Sequence, residues 1–449
     1  MSRDRPPRAK ARAEAERAAA GAHPGLAARV AAAAVLADIL ASGHALDDKF
    51  GSGALHSKLV GMEPRDVALA RSIVTVALRR LGTVRHALAQ LLDKGVPRNA
   101  AQLEWILVVG AAQILWLDAP DHAAVDLAVR AARLDARSAP YAALVNGVLR
   151  NLARRRDELT QGEPLERDTP AWLAARWRKT YGEEVARAIA AAHIEEPTLD
   201  LTVRSDPEGW ARRLGGRVLP TGSVRLAVRT PIAELEGYDE GQWWVQDAAA
   251  ALPARLLGAR QGERIADLCA APGGKTAQLA AAGAHVTAVD RSAERLKRLA
   301  ANLQRLNLQA EIVVADAKSW TAPPFDAVLL DAPCTATGTI RRHPDVAWTK
   351  KPGDIVALAA AQSALLDRAA SLLRPGGRLV YCTCSLEPEE GEAQIGALLR
   401  RNPDLIRAPA MPAEVGGRGE LLTASGDLRA LPCHLPDVDP RMAGADGFF

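Results

Sequence analysis

Two cysteines, Cys334 and Cys384, stand fifty positions apart in similar settings. Cys334 closes Asp331-Ala332-Pro333-Cys334, and Cys384 sits within Tyr381-Cys382-Thr383-Cys384-Ser385. A thiolate adds to electron-poor carbon and leaves again, so it splits one difficult step into two easier ones. A carboxylate such as Asp331 can hold or move a proton beside it. Each cysteine follows a short apolar run, Ala327–Leu330 or Arg378–Tyr381, of the length expected for a buried strand. Both thiols are therefore expected just past the carboxyl ends of strands, where open α/β sheets place their sites.

The elements that must position them follow from the pattern upstream. After Gly262 apolar runs recur at Arg264–Leu268, His285–Val289, Ile312–Ala315, Ala327–Leu330 and Arg378–Tyr381, with helical segments at Ala293–Asn307 and Ile355–Leu373. Such alternation predicts a doubly wound, mainly parallel sheet of Rossmann-like type. Its first turn reads Asp267-Leu268-Cys269-Ala270-Ala271-Pro272-Gly273-Gly274-Lys275-Thr276. The Gly-Gly-Lys-Thr end resembles a phosphate-binding loop, but that motif needs glycine where Cys269 stands. G-x-G-x-x-G is absent as well, so the dinucleotide fingerprint fails. What remains is a turn whose glycines let a ligand approach backbone N–H groups at a helix start. Asp290 ends the next run, placed to accept from ribose hydroxyls, and Asp316 ends the third, facing an adenine edge. One such aspartate is ordinarily a cap or turn residue; three at successive strand ends predict a nucleoside pocket.

Ahead of this domain the periodicity is different. Residues 1–24 form a basic tail with no apolar stripe, expected to be disordered, with Arg3, Arg5, Arg8, Lys10 and Arg12 against Asp4. Residues 25–156 read as a compact domain of five to seven helices. Residues 157–246 read as a helical connector followed by a small α+β module, and 247–449 as the catalytic domain. At 449 residues, several domains are expected. Five cysteines, two of them at strand ends, argue against a disulfide framework and for a reducing compartment, hence the cytoplasm. The arginine-rich start lacks the apolar core of a signal peptide, and no stretch is long enough to span a bilayer. Net charge is +4, and Arg150, Arg154, Arg155 and Arg156 form a second basic cluster. Either cluster alone is ordinarily a solvated face; together they fit a polyanionic partner.

These motifs together resemble the bacterial Sun/RsmB-type 16S rRNA cytosine-5 methyltransferases. The resemblance rests on Gln246-Asp247, the run Asp267 to Thr276, Asp331 to Cys334, Arg342-His343-Pro344-Asp345 and Thr383-Cys384-Ser385, in order and spacing. It covers nearly the whole chain. Residues 26–156 are similar to the NusB-like RNA-binding domain of that branch. The resemblance implies S-adenosylmethionine as cofactor, in a site formed by Cys269, Ala270, Ala271, Pro272, Gly273, Gly274, Lys275, Asp290, Asp316 and Asp331. It implies 16S rRNA as substrate, at a cytosine in the small-subunit head of the position-967 type. It assigns attack on carbon 6 to Cys384 and product release to Cys334, with Asp331 beside cofactor and base.

Two departures stand out. The chain ends at Asp446-Gly447-Phe448-Phe449, where relatives continue through a last strand, and Arg204-Ser205 replaces a pair usually ending in Asn. Arg341, Arg342 and His343 are expected to meet RNA, against the plainer reading of a solvated loop. Cys382 is expected to be a small buried hydrophobe, and Cys433 and His434 to have no part in catalysis. With no C-x-x-C pair, no metal site is expected. A tRNA cytosine-5 methyltransferase and a non-catalytic RNA-binding assembly factor are the alternatives; a monomer is expected in each case.

Overall fold

The computed structural model describes residues 23–51, 55–228 and 230–449. Most of the basic N-terminal tail (residues 1–22) therefore lies outside the described residues. The chain divides into two compact units, and they are unequal to the segments expected from sequence. One ends at Ile194 and also includes His343–Lys350; the other comprises Glu195–Arg342 and Lys351–Phe449. The segment 157–246, expected as a helical connector followed by a small α+β module, is divided at Ile194, with its helices in the first unit and its strands in the second.

The helical unit contains α1 (Leu26–Ser42), α2 (Leu46–Phe50), α3 (Pro64–Arg79), α4 (Leu81–Leu91), α5 (Ala101–Trp116), α6 (Asp121–Leu134) and α7 (Ala142–Arg154). Two one-turn helices lead on to α8 (Ala171–Tyr181) and α9 (Glu183–Ile194). Alanine-rich α1 is closed at Gly43, whose φ of 72° suits glycine and whose N–H reaches the Ile39 carbonyl. Pro64 begins α3, where its missing N–H costs nothing. Leu36, Ile39, Ile73, Leu78, Leu107 and Leu149 lie in one aliphatic core. Arg150 and Arg154 are exposed, whereas Arg155 and Arg156 pair with Glu158 and Asp121 at 2.5 Å.

The second unit opens with a four-stranded antiparallel sheet. It is built from β1 (Leu199–Val203), β2 (Arg217–Val218), β3 (Val224–Leu226) and β4 (Trp243–Val245) in the order β2-β3-β1-β4. Between β1 and β2, α10 (Pro207–Leu214) is capped by the Asp206 side chain, which accepts from Gly209 N–H. Arg204, directly before the departure at Ser205, donates to the Leu306 carbonyl at 2.9 Å. After α11 (Leu252–Leu257) comes the larger sheet: β5 (Arg264–Leu268), β6 (His285–Asp290), β7 (Glu311–Val314), β8 (Phe325–Asp331) and β9 (Leu373–Cys382). All four pairings are parallel, in the order β7-β6-β5-β8-β9. The helices α12 (Gly274–Ala281), α13 (Ala293–Arg305), α15 (Pro352–Ser371) and α16 (Glu392–Arg401) belong to this unit. The intervening α14 (Asp345–Thr349) belongs to the helical unit.

Parallel strands covered on both faces are apolar throughout, and β8 shows it: Ala327, Val328, Leu329 and Leu330 are all fully buried. Leu330→Ala is expected to destabilise this unit by about 2–5 kcal/mol, read as a lower denaturation midpoint. The last residues of the chain also belong here. Phe449 exchanges backbone hydrogen bonds with Thr383 at 2.9 and 3.0 Å, and Phe448 bridges Ala430. The two residues that end the chain are thereby held beside the loop that carries Cys384.

Candidate active site

The parallel register of β8 and β9 pairs Asp331 with Cys382, the terminal residues of both strands. The segments leaving these ends run side by side, and Cys334 and Cys384 meet with their sulfurs 3.4 Å apart. Both are free thiols and both are partly exposed. Cys334 is held in its protonated form: the hydrogen bond with Cys384, burial and the nearby Glu390 carboxylate all raise its pKa well above that of an ordinary thiol. Either sulfur can donate in this contact.

Asp331 ends β8, three residues before Cys334. Its Oδ2 accepts from Lys275 Nζ at 2.7 Å, and Lys275 is nearly fully buried. Burial alone would lower the lysine pKa, but the Asp331 carboxylate outweighs it and keeps the ammonium charged. Lys275 also lies 5.0 Å from the Phe448 ring centroid. The other oxygen, Oδ1, accepts from the Cys382 thiol at 3.5 Å. Cys382 was expected to be core filling only; it is buried, but it also touches Asp331 because β9 continues to it and its side chain points across to β8.

The turn after β5 bends sharply. Cys269 has φ 62°, and Gly273 has φ 103° and sits so close to Leu299 that a Cβ would come within 2.7 Å of its side chain. Ala270 N–H donates to Val289 O, and α12 begins at Gly274. Burial pushes the Cys269 thiol up to about 12, so it acts as a neutral wall residue. Gln246 ties the turn to the smaller sheet, accepting from Thr202 and Trp244 and donating to Gln278 on α12.

Asp290 receives Ala271 N–H on Oδ2 and Ser292 N–H on Oδ1. It thereby shapes the turn while two carboxylate oxygens keep lone pairs to spare. Asp316 lies two residues past β7, exposed, and caps its own turn through Lys318 N–H. Between them the edge strand exposes Ile312 and Val314, an apolar platform beside Asp290.

One buried polar atom here has no partner among the described residues, Asp267 Oδ1. The other oxygen of that carboxyl accepts from Thr276 at 2.6 Å. An unpartnered acceptor beneath a glycine turn, two further carboxylates and an apolar edge are the donor-binding surface that a nucleoside with an amino-acid tail requires. The residues fit S-adenosylmethionine. Burial raises Asp267 to about 7. A carboxyl raised in the folded state favours folding below its unfolded pKa and loses that advantage as pH rises through the folded value. The ligand-free protein should thus lose stability between about pH 4 and 7. Asp267→Asn is expected to flatten that loss, seen in thermal melts across this range.

Two expectations about RNA contact are corrected. Arg341 is buried, and Arg342 donates to Asp247 at 2.6 Å and to Asp446 at 3.0 Å. Burial would raise Asp247, but Arg342 holds it down to about 2. These arginines are spent inside the fold because carboxylates from residues 247 and 446, distant in sequence, converge on them. His343 stays partly exposed and pairs with Asp47 at 3.4 Å within the helical unit. In that unit Asp345 accepts from Leu46 N–H and Trp348 donates to the Leu78 carbonyl. His434 accepts from Leu431 N–H in its own loop, in keeping with a structural part. Sequence reasoning also missed Glu390, Thr335, Ser385 and Gln362, whose network lies beneath the two thiols; a hydroxyl residue directly after each cysteine was the only available signal.

The family model 16S rRNA methyltransferase RsmB/F matches residues 254–449, and the NusB family model matches residues 26–154. Among curated relatives, ribosomal RNA small subunit methyltransferase B of Vibrio cholerae is 36% identical, over 86% of this chain and 92% of its own length. The protein of the same name from Xylella fastidiosa is 38% identical over 85% of this chain and 90% of its own length. The crystal structure of PH0851 shares the fold with TM-score 0.67 at 22% identity, covering 95% of this chain and 98% of its own. NSun6 from Pyrococcus horikoshii with SFG gives TM-score 0.51 at 20% identity, over 62% of this chain and 96% of its own. No described helix is long and apolar enough to cross a membrane. Family models, relatives and catalytic fold agree: the chain belongs to the RsmB/F family of S-adenosylmethionine-dependent 16S rRNA methyltransferases, with a NusB-family domain ahead of the catalytic one.

Proposed function

We propose that this protein methylates carbon 5 of a cytosine in 16S rRNA, in the small-subunit head at the position-967 type of site. The observation that carries the chemistry is the 3.4 Å contact between the Cys334 and Cys384 sulfurs, on the segments that leave β8 and β9. Carbon 5 of cytosine is a weak nucleophile. The Cys384 thiolate forms a bond to carbon 6, and the electron pair released makes carbon 5 an enamine carbon. S-adenosylmethionine, held by the turn after β5 with Asp290, Asp316 and the β7 edge, supplies the methyl group. Asp331, fixed by Lys275, is assigned the hydrogen bond to N3 or N4 of the base that stabilises the adduct. Loss of the carbon-5 proton to a base then breaks the carbon–sulfur bond and frees Cys384. Cys334 assists this release, since it is the thiol in contact with the leaving sulfur.

Both faces of the base must be reached, so the cytosine has to leave its stack. Exposed Arg150 and Arg154 on the helical unit offer phosphate contacts. We expect a cytoplasmic monomer. Incubation with tritiated S-adenosylmethionine and small-subunit rRNA should place label on cytosine carbon 5. Bisulfite sequencing of rRNA and tRNA from a deletion strain should show one rRNA cytosine losing protection. Loss confined to tRNA, or no base-linked label, would overturn this function.

A further inference from the structure

Glu390 is fully buried in the single turn Pro388–Glu390 that follows the Cys384 loop. Its Oε1 accepts from Thr335 N–H at 3.0 Å and from Gln362 Nε2 at 3.0 Å. Its Oε2 accepts from Ser385 Oγ at 2.6 Å and from the Thr335 hydroxyl. Thr335 directly follows Cys334, and Ser385 directly follows Cys384. One carboxylate is thus fastened to the residue after each thiol. Gln362 adds a third hold, donating to the Pro333 carbonyl just before Cys334 at 2.9 Å. The Glu390 carbonyl accepts from the Tyr381 and Thr383 hydroxyls, which flank Cys382.

Burying a carboxylate is costly unless donors surround it, and here four donors do so. Stability alone rarely favours such a site over well-packed apolar side chains. Three of these donors, the N–H and hydroxyl of Thr335 and the hydroxyl of Ser385, lie on the two segments that carry the cysteines, and the fourth, Gln362, reaches in from α15.

We propose that Glu390 is a positioning residue that sets the separation of the Cys334 and Cys384 sulfurs. It acts through Thr335 and Ser385 and touches neither base nor methyl donor. The proposal rests on the two-thiol function above. Glutamine at this position would turn one acceptor oxygen into an N–H₂ group facing donors, and the backbone N–H of Thr335 cannot reverse its role.

The test uses full-length wild-type, Glu390→Gln and Glu390→Asp enzymes with two readouts. The first is methyl transfer to rRNA. A small misplacement of the thiols should lower kcat in Glu390→Gln about 100-fold and leave KM for S-adenosylmethionine unchanged. The second is disulfide formation with diamide, in which two thiols lose their hydrogens and the N=N bond is reduced to a hydrazine. Peptide mass spectrometry should find a rapid Cys334–Cys384 link in the wild type, a slow one in Glu390→Gln and partial recovery in Glu390→Asp. Wild-type rates in both readouts for a folded Glu390→Gln would overturn the proposal. So would a lower melting temperature with kcat per folded molecule unchanged. Should Glu390→Gln not fold, Ser385→Ala removes one donor and keeps the carboxylate; it should slow both readouts, and unchanged rates would overturn the proposal. Because the cross-link needs no catalysis, Cys384→Ala with full turnover would sink the two-thiol function alone, and the linking rates would still decide the part of Glu390.

Discussion

Cys384→Ala should lower methyl transfer to rRNA by at least about 10⁴-fold while the protein keeps its fold and its affinity for RNA. The alanine side chain cannot add to carbon 6, so carbon 5 stays unactivated and no positioning by other residues compensates. Removing a covalent nucleophile removes the reaction path itself, which is why the effect exceeds that of a lost hydrogen bond. Cys384 packs at the edge of a cluster with Val415, Leu421 and Phe448, so a slightly smaller side chain leaves the core intact. Tritium incorporation under single-turnover conditions measures the loss, and circular dichroism checks the fold. A Cys384→Ala enzyme within tenfold of wild type would reject the assignment.

Cys334→Ala should behave differently and accumulate product-stage enzyme. Attack and methylation remain available, because Cys384 is untouched. Release slows, because the thiol 3.4 Å from the departing sulfur is gone. A protein–RNA species that survives denaturing electrophoresis is the expected result, formed only when S-adenosylmethionine is present. The Cys334→Ala/Cys384→Ala double variant should show none. Were the stable adduct found with Cys384→Ala instead, the two roles would be exchanged. The two thiols share one hydrogen-bonded contact, so the pattern of trapped adducts decides which of them attacks.

Much of the catalytic architecture was legible along the chain. The spacing of apolar runs predicted five strands, and all five form one parallel sheet. Strand ends were legible too, because a buried strand must end where polar residues begin, and Asp290 and Asp331 mark such ends, whereas Asp316 lies two residues past β7. Boundaries between packed units were less so: α8 and α9 have the amphipathic pattern of any connector, and only packing assigns them to the helical unit.

Charge was misread for a related reason. Arg341 and Arg342 look like a basic loop when only neighbours in sequence are counted. Their partners, Asp247 and Asp446, lie about a hundred positions to either side. Glu390 was invisible on the same grounds, since an acidic residue in a Pro-Glu-Glu turn reads as solvated. Cys382 was half right: its burial follows from the strand pattern, but its contact with Asp331 depends on which strand lies alongside.

By itself the sequence determined the order of strands and helices, the thiols at two strand ends and the glycine turn, because these depend on local periodicity and residue type. Only the tertiary structure decided that β8 and β9 are neighbours in a register pairing Asp331 with Cys382. That parallel pairing, made across fifty intervening residues, brings two sulfurs to 3.4 Å and seats one carboxylate beneath both.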